Sequence, residues 1–208
     1  ICASNDNKVL YDFFKTGVYD KNRPFILTSS PSMDILISSN LERLIYRIAG
    51  ENPEECAKLM ENLSRGGEYT ITPEMKSQLA DFYGNYCTDE ETKEAIREVY
   101  KASDYVIDTH TAVAAGVYKK YVKETSDNAP AVIASTASPY KFTRSVMDAI
   151  AEGHENLDDF GLADALEKIS GVAVPKAVND IRTAPVLHDR VVDAEDMPAT
   201  VKDILGIR

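Results

Sequence analysis

Cysteine and histidine are scarce: the 208-residue chain holds three of each. Cys2, Cys56 and Cys87 lie far apart and form no CxxC pair, and their odd number argues against a disulfide framework. Reduced thiols in a cytoplasmic protein are the expectation. His110, His154 and His188 are equally dispersed, so no metal-ligand spacing is present and no metal site is expected. Long apolar runs are missing as well. Nothing approaches the roughly 20 apolar residues of a membrane span, and no basic-then-apolar signal segment opens the chain. Positive charge is in deficit: 23 Lys and Arg against 34 Asp and Glu leave a formal net charge of -11. That balance argues against general binding to nucleic acid or anionic membranes, while leaving room for one local basic pocket. Internal repeats, low-complexity linkers and heptad arrays are absent too.

What is present is the composition of an ordered protein, 44% apolar and 27% charged. The length suits one large domain, or one domain with an appended subdomain. The chain opens on Ile1-Cys2-Ala3-Ser4 without an initiator Met, as a fragment cut just inside a strand would. The helix that follows carries Val9, Leu10, Phe13 and Phe14 on one face, with Asp6 or Asn7 as its cap and Gly17 as its stop. PFILTSS, residues 24–30, reads as a strand. One helix should start at Ser38 or Ser39 and end near Gly50, and another should run from Pro53 to Gly66-Gly67. Thr72 caps a further helix start, and Thr88 with Glu91 three positions on makes a capping box. Phe82, Tyr83 and Tyr86 are expected to pack this polar excursion against the body. DYVIDTH reads as a short strand entering a helix rich in small residues, with Thr111 as a cap. There Ala112, Ala114, Ala115 and Gly116 permit close approach of another element.

The run ASTASPYKF, residues 134–142, follows the apolar AVIA and precedes the helical TRSVMDAI. It reads as a strand, a polar turn and a helix. The turn sets Ser135, Thr136 and Ser138 at the carboxyl end of a strand, where ligands of open α/β sheets sit. Lys141 and Arg144, three apart on the following helix, can present both charges to a phosphate. A solvated face explains Arg144 equally well, and a cap of that helix explains Thr136. Strands alternating with helices predict an α/β fold. The strands are few, so the expectation is a helix-rich three-layer α/β/α fragment with a short, mainly parallel sheet.

Five segments stand in a telling order: ASNDN near the start, SPSMDI at 30–35, SSNLERL at 38–44, DTHTAVAAGVY at 108–118 and STASPYKF at 135–142. Together they resemble the carboxy-terminal part of threonine synthase, a pyridoxal 5'-phosphate enzyme of fold type II. The resemblance covers much of residues 1–150 and fades beyond. It implies part of a tryptophan-synthase-β-like fold. Residues 1–150 would be the carboxy-terminal part of the large cofactor-binding α/β domain, with a helical excursion at about 51–103, and residues 151–208 a mainly helical extension. It further implies conversion of O-phospho-L-homoserine and water to L-threonine and phosphate. In the family the lysine that carries the cofactor and the glycine-rich loop that holds its phosphate lie upstream of the segments matched here. No catalytic residue is therefore assigned in this chain, and the fragment alone is expected to be inactive. An exposed sheet edge would also favour self-association.

The resemblance also implies roles for single residues. Thr136 matches the position whose hydroxyl meets the pyridine nitrogen of the cofactor, where it can donate without forcing a charge on the ring. Ser135 beside it is a second cofactor-binding candidate. Lys141, Arg144, His110 and Ser138 are candidates for binding substrate. Many relatives carry histidine where this chain has Ser138, which can hydrogen-bond but cannot become an imidazolium. A structural hydrogen-bonding role suits His110 as well as ligand contact does. Asp34, in the Ser32-Met33-Asp34 turn, is expected to organise local backbone donors. Two other readings stand beside this one: a noncatalytic α/β domain for assembly or regulation, and another fold type II lyase.

Overall fold

Side-chain caps and left-handed glycines cut the chain into short elements. The computed structural model describes residues 1–207. In chain order these are β1 (Cys2–Ser4), α1 (Val9–Thr16), β2 (Val18–Asp20), α2 (Leu41–Ile48), α3 (Pro53–Gly66), β3 (Glu68–Thr70) and α4 (Pro73–Ser77). There follow β4 (Gly84–Tyr86), α5 (Asp89–Ser103), α6 (Thr109–Thr125), α7 (Thr143–Ile150), α8 (Asp159–Ser170), α9 (Lys176–Ile181) and α10 (Met197–Leu205). Gly17 and Gly67 close α1 and α3 in the left-handed region, at φ 82° and 84°. Thr72 caps α4, and the capping box of Thr88 and Glu91 opens α5, both as the sequence predicts. Two compact units result, Ile1–Val174 and the residues from Pro175 onward. The division falls beyond residue 150 because α8 packs on α7. In the second unit none of residues 175–207 is buried, and Arg190 pairs with Asp203 at 2.9 Å.

The first unit is helix-rich with short sheets. β1 and β4 pair in parallel, while β2 and β3 form a separate antiparallel ladder. Tyr19 and Tyr69 face each other across that ladder and stack at 5.3 Å between centroids. Phe13 of α1 meets both rings, and Ile45, Leu59 and Met75 complete this core. A second apolar region lies where α6 and α7 both pack on α5 and α8 packs on α7, burying Ile96, Val146 and Leu162. The small residues of α6 do allow a close approach: a Cβ added at Gly116 would stand 2.6 Å from Cys87 Sγ. Phe82, Tyr83 and Tyr86 pack on Phe14, Tyr121 and Tyr11 respectively, holding the excursion to the body.

Several local expectations are corrected. Residues 24–30 form no strand. The side-chain amide of Asn7 takes the place of a neighbouring strand there: it accepts the Ile26 N–H at 2.9 Å and donates to the Ile26 carbonyl at 2.7 Å. Asn7 is thus occupied and does not cap α1, which starts after Lys8 with no side-chain cap. Asp6 instead accepts the Asp89 N–H at the start of α5, at 3.1 Å. Residues 104–108 and 131–136 are not strands either, since no neighbouring strand offers them a ladder among the described residues. The helix expected from Ser38 or Ser39 begins at Leu41, where the apolar stripe of Leu41, Ile45 and Ile48 turns inward. Thr111 is not the cap of α6; Asp108 is.

Candidate functional site

Asp108 begins the site. Its buried carboxylate caps α6 by accepting hydrogen bonds from the N–H groups of His110 at 2.8 Å and Thr111 at 3.3 Å, and it accepts another from the Thr111 hydroxyl. This fixes the first turn of α6 and with it His110. The Ser32 N–H donates to His110 Nε2 at 3.1 Å, so that nitrogen is an acceptor and the ring proton sits on Nδ1, 3.3 Å from Asp108 Oδ1. Burial pushes the His110 pKa below its ordinary value against the pull of Asp108, and the Lys141 charge pushes the same way as burial. Phe142 packs on the imidazole at 4.6 Å between centroids, and Lys141 Nζ lies 5.2 Å from the centre of the Phe142 ring.

The turn that delivers the Ser32 N–H is held from beneath. Asn5, buried at the end of β1, donates to Asp34 Oδ1 at 2.7 Å and to the hydroxyls of Thr28 and Ser30. Asp34 in turn accepts the Thr28 N–H at 3.0 Å, the role in backbone organisation that the sequence suggests. Asn7 reaches the same carboxylate at 3.0 Å. These bonds tie the 24–34 loop into a wall without a strand in it.

Between this wall and α6 lies a cavity of about 430 Å³. Met33, His110, Ala114, Tyr118, the extended stretch Ala131–Ala134 and Thr136 line it. The Thr136 hydroxyl has no hydrogen-bond partner among the described residues, and none of the residues lining the cavity is a lysine. Of the residues singled out in the sequence, the structure brings together Thr136 and His110. Ser135 turns its hydroxyl to Thr111 Oγ1 at 2.8 Å. Ser138 accepts the Tyr140 N–H at 3.3 Å and caps the 3-10 turn Pro139–Lys141. Lys141 therefore belongs to that turn and Arg144 to α7, and the helical spacing expected between them does not apply. The Arg144 guanidinium donates to the Leu157 carbonyl at 2.8 Å, on the loop before α8. Tyr118 escaped the sequence reading and Ala114 was read only as a small packing residue, although both follow His110 at four-residue steps along one helix face.

Known proteins resemble this chain in sequence and fold. Residues 111–206 match the family model described as threonine synthase, C-terminal. The chain is 40% identical to "Threonine synthase-like 1" of Homo sapiens over 152 residues, which cover 72% of this chain and 20% of that protein. It is 31% identical to the threonine synthase of Saccharomyces cerevisiae over 185 residues, covering 81% of this chain and 36% of that one. Among solved structures, a PLP-bound threonine synthase from Brucella melitensis superposes with a TM-score of 0.66 at 34% identity, over 72% of this chain and 32% of the other. The yeast threonine synthase superposes with a TM-score of 0.80 at 27% identity, over 98% and 41%. The chain thus spans between a fifth and about two-fifths of the length of these proteins. In sequence and in fold it belongs to the threonine synthase family, of which it represents the carboxy-terminal part.

Proposed function

We propose that this chain supplies one wall of a pyridoxal-phosphate site in a threonine synthase, which converts O-phospho-L-homoserine and water to L-threonine and phosphate. Residues 1–150 would belong to the cofactor-binding domain and residues 151–208 to its helical extension. The observation that carries the reading is the unpartnered Thr136 hydroxyl on the wall of the cavity, inside the STASPYKF segment. The residues present fit the ring-nitrogen end of the cofactor. Thr136 offers a neutral donor, and Ala114 with Tyr118 offers an apolar flank. When bound, the cofactor would serve as an electron sink, so that protons can leave the substrate carbons and its phosphate can depart.

The chain's own residues then have distinct tasks. Thr136 would donate to the ring nitrogen and leave it uncharged, because an aliphatic hydroxyl hydrogen-bonds without giving up its proton. His110, neutral and hydrogen-bonded at both nitrogens, keeps the Ser32-Met33 turn against the cavity. Lys141 adds positive charge beside His110 and suits a phosphate-bearing substrate. Arg144, spent on the Leu157 carbonyl, and Ser138, spent on its turn, are weaker partners for that substrate. No lysine lines the cavity, so this chain by itself should form no threonine.

The test is phosphate release from O-phosphohomoserine by the complete gene product loaded with cofactor. Thr136→Ala should lower kcat at least tenfold, roughly the loss of one hydrogen bond to a reacting centre, while Thr136→Ser keeps most of it. Equal activity in Thr136→Ala and the parent would remove the assignment. A second reading, another lyase of the same cofactor class, is favoured by the higher identity to the threonine synthase-like protein than to the yeast enzyme. A complete gene product that binds cofactor but leaves O-phosphohomoserine untouched would select it.

A further inference from the structure

Two adjacent hydroxyls, Ser135 and Thr136, sit on an extended stretch that has no ladder among the described residues, and Thr136 lines the cavity. Val132, three residues earlier, is 99% exposed. Among the described residues, a 2.8 Å contact of Ser135 Oγ with Thr111 Oγ1 ties this stretch to α6.

The direction of that bond follows from its neighbour. The Asp108 carboxylate already faces two N–H donors, so it acts as an acceptor, and the Thr111 hydroxyl donates to it. A hydroxyl has one proton. Thr111 has spent its own on Asp108, so Ser135 must donate to Thr111. Asp108 is buried within the first turn of α6, which gives the relay a rigid base.

We infer that Asp108 and Thr111 are positioning residues. They commit the Ser135 proton to the relay Asp108–Thr111–Ser135, which leaves Thr136 as the hydroxyl of the pair whose proton is free for a ligand. The inference deepens the cofactor reading and rests on it. It also separates two residues that the sequence placed together: Ser135 anchors, and Thr136 touches.

The experiment has two readouts. In this chain, backbone 15N order parameters of residues 133–138 should fall from the rigid range near 0.85 to below about 0.6 in both Thr111→Val and Ser135→Ala. Thr111→Ser should keep them rigid. In the complete gene product, Thr111→Val should weaken pyridoxal phosphate binding, followed by its absorbance, by about tenfold, the scale of one hydrogen bond. Thr111→Ser should restore it. Order parameters unchanged in both variants would overturn the relay. A loosened segment with cofactor affinity intact would overturn the positioning role. A parent gene product that binds no pyridoxal phosphate would sink the cofactor reading instead, and the order parameters would still decide whether the relay holds the segment. Ser135 is exposed, so its variant folds even where Thr111→Val does not.

Discussion

His110 shows how one side chain ties pH to structure. Its Nε2 accepts the Ser32 N–H, so protonation must break that bond, and burial disfavours the charge further. The folded-state pKa is therefore depressed below the unfolded value of 6.5. A depressed histidine contributes stability that is complete above the unfolded pKa and is lost as pH falls through the folded one. We expect the chain to lose stability on acidification below 6.5 more steeply than His110→Gln, which keeps an acceptor without the titration. Urea midpoints of both proteins at neutral and mildly acid pH would check this. Parallel curves would show that the imidazole plays no part. This coupling was not legible in the sequence, because Ser32 and His110 lie 78 positions apart.

Among elements, the 24–34 loop carries the main lesson. Its PFIL start has the apolar content of a strand, yet Phe25, Ile26 and Leu27 are exposed, and the backbone is satisfied by an asparagine instead of a neighbouring chain. Asn7→Ala should cost about 2 kcal/mol, near 1 for each of the two bonds to Ile26. It should also speed amide exchange at Ile26, as followed by NMR. An Ile26 amide as protected as in the parent would refute the substitution of side chain for strand. What was legible in the sequence were features carried by neighbours in the chain: the capping box of Thr88 and Glu91, the stops at Gly17 and Gly67, the amphipathic helices and the small-residue face of α6. What was not legible depended on distant partners. β2, β3 and β4 are three residues each, too short to display a period of two, and exist because Tyr19 meets Tyr69 and Cys2 meets Gly84. The site divides in the same way: Thr136 was readable within its motif, while the uses of Ser135, Ser138 and Arg144 were set by Thr111, Tyr140 and Leu157.

At the scale of the molecule, an acidic chain carries an extended stretch, unpaired among the described residues, between α6 and the 3-10 turn at Pro139. Its free backbone groups are a template for another chain. The isolated chain should therefore self-associate at high concentration, and Val132→Lys should suppress this by placing charge on the stretch. Sedimentation velocity would measure it, and a monomeric parent at every concentration would count against the idea. The close approach of α6 to Cys87 has a separate consequence. Cys87 is fully buried against Gly116, and burial pushes its thiol up to about 11, so it is both unreachable and unreactive at neutral pH. Cys2, partly exposed, is open to alkylating reagents by comparison. Burial raises the Cys2 thiol as well, so iodoacetamide should mark Cys2 slowly but ahead of Cys87, which reacts only during excursions in which α6 lifts away. Mass spectrometry of the labelled chain would turn the Cys87 thiol into a clock for the opening of the helical wall of the cavity.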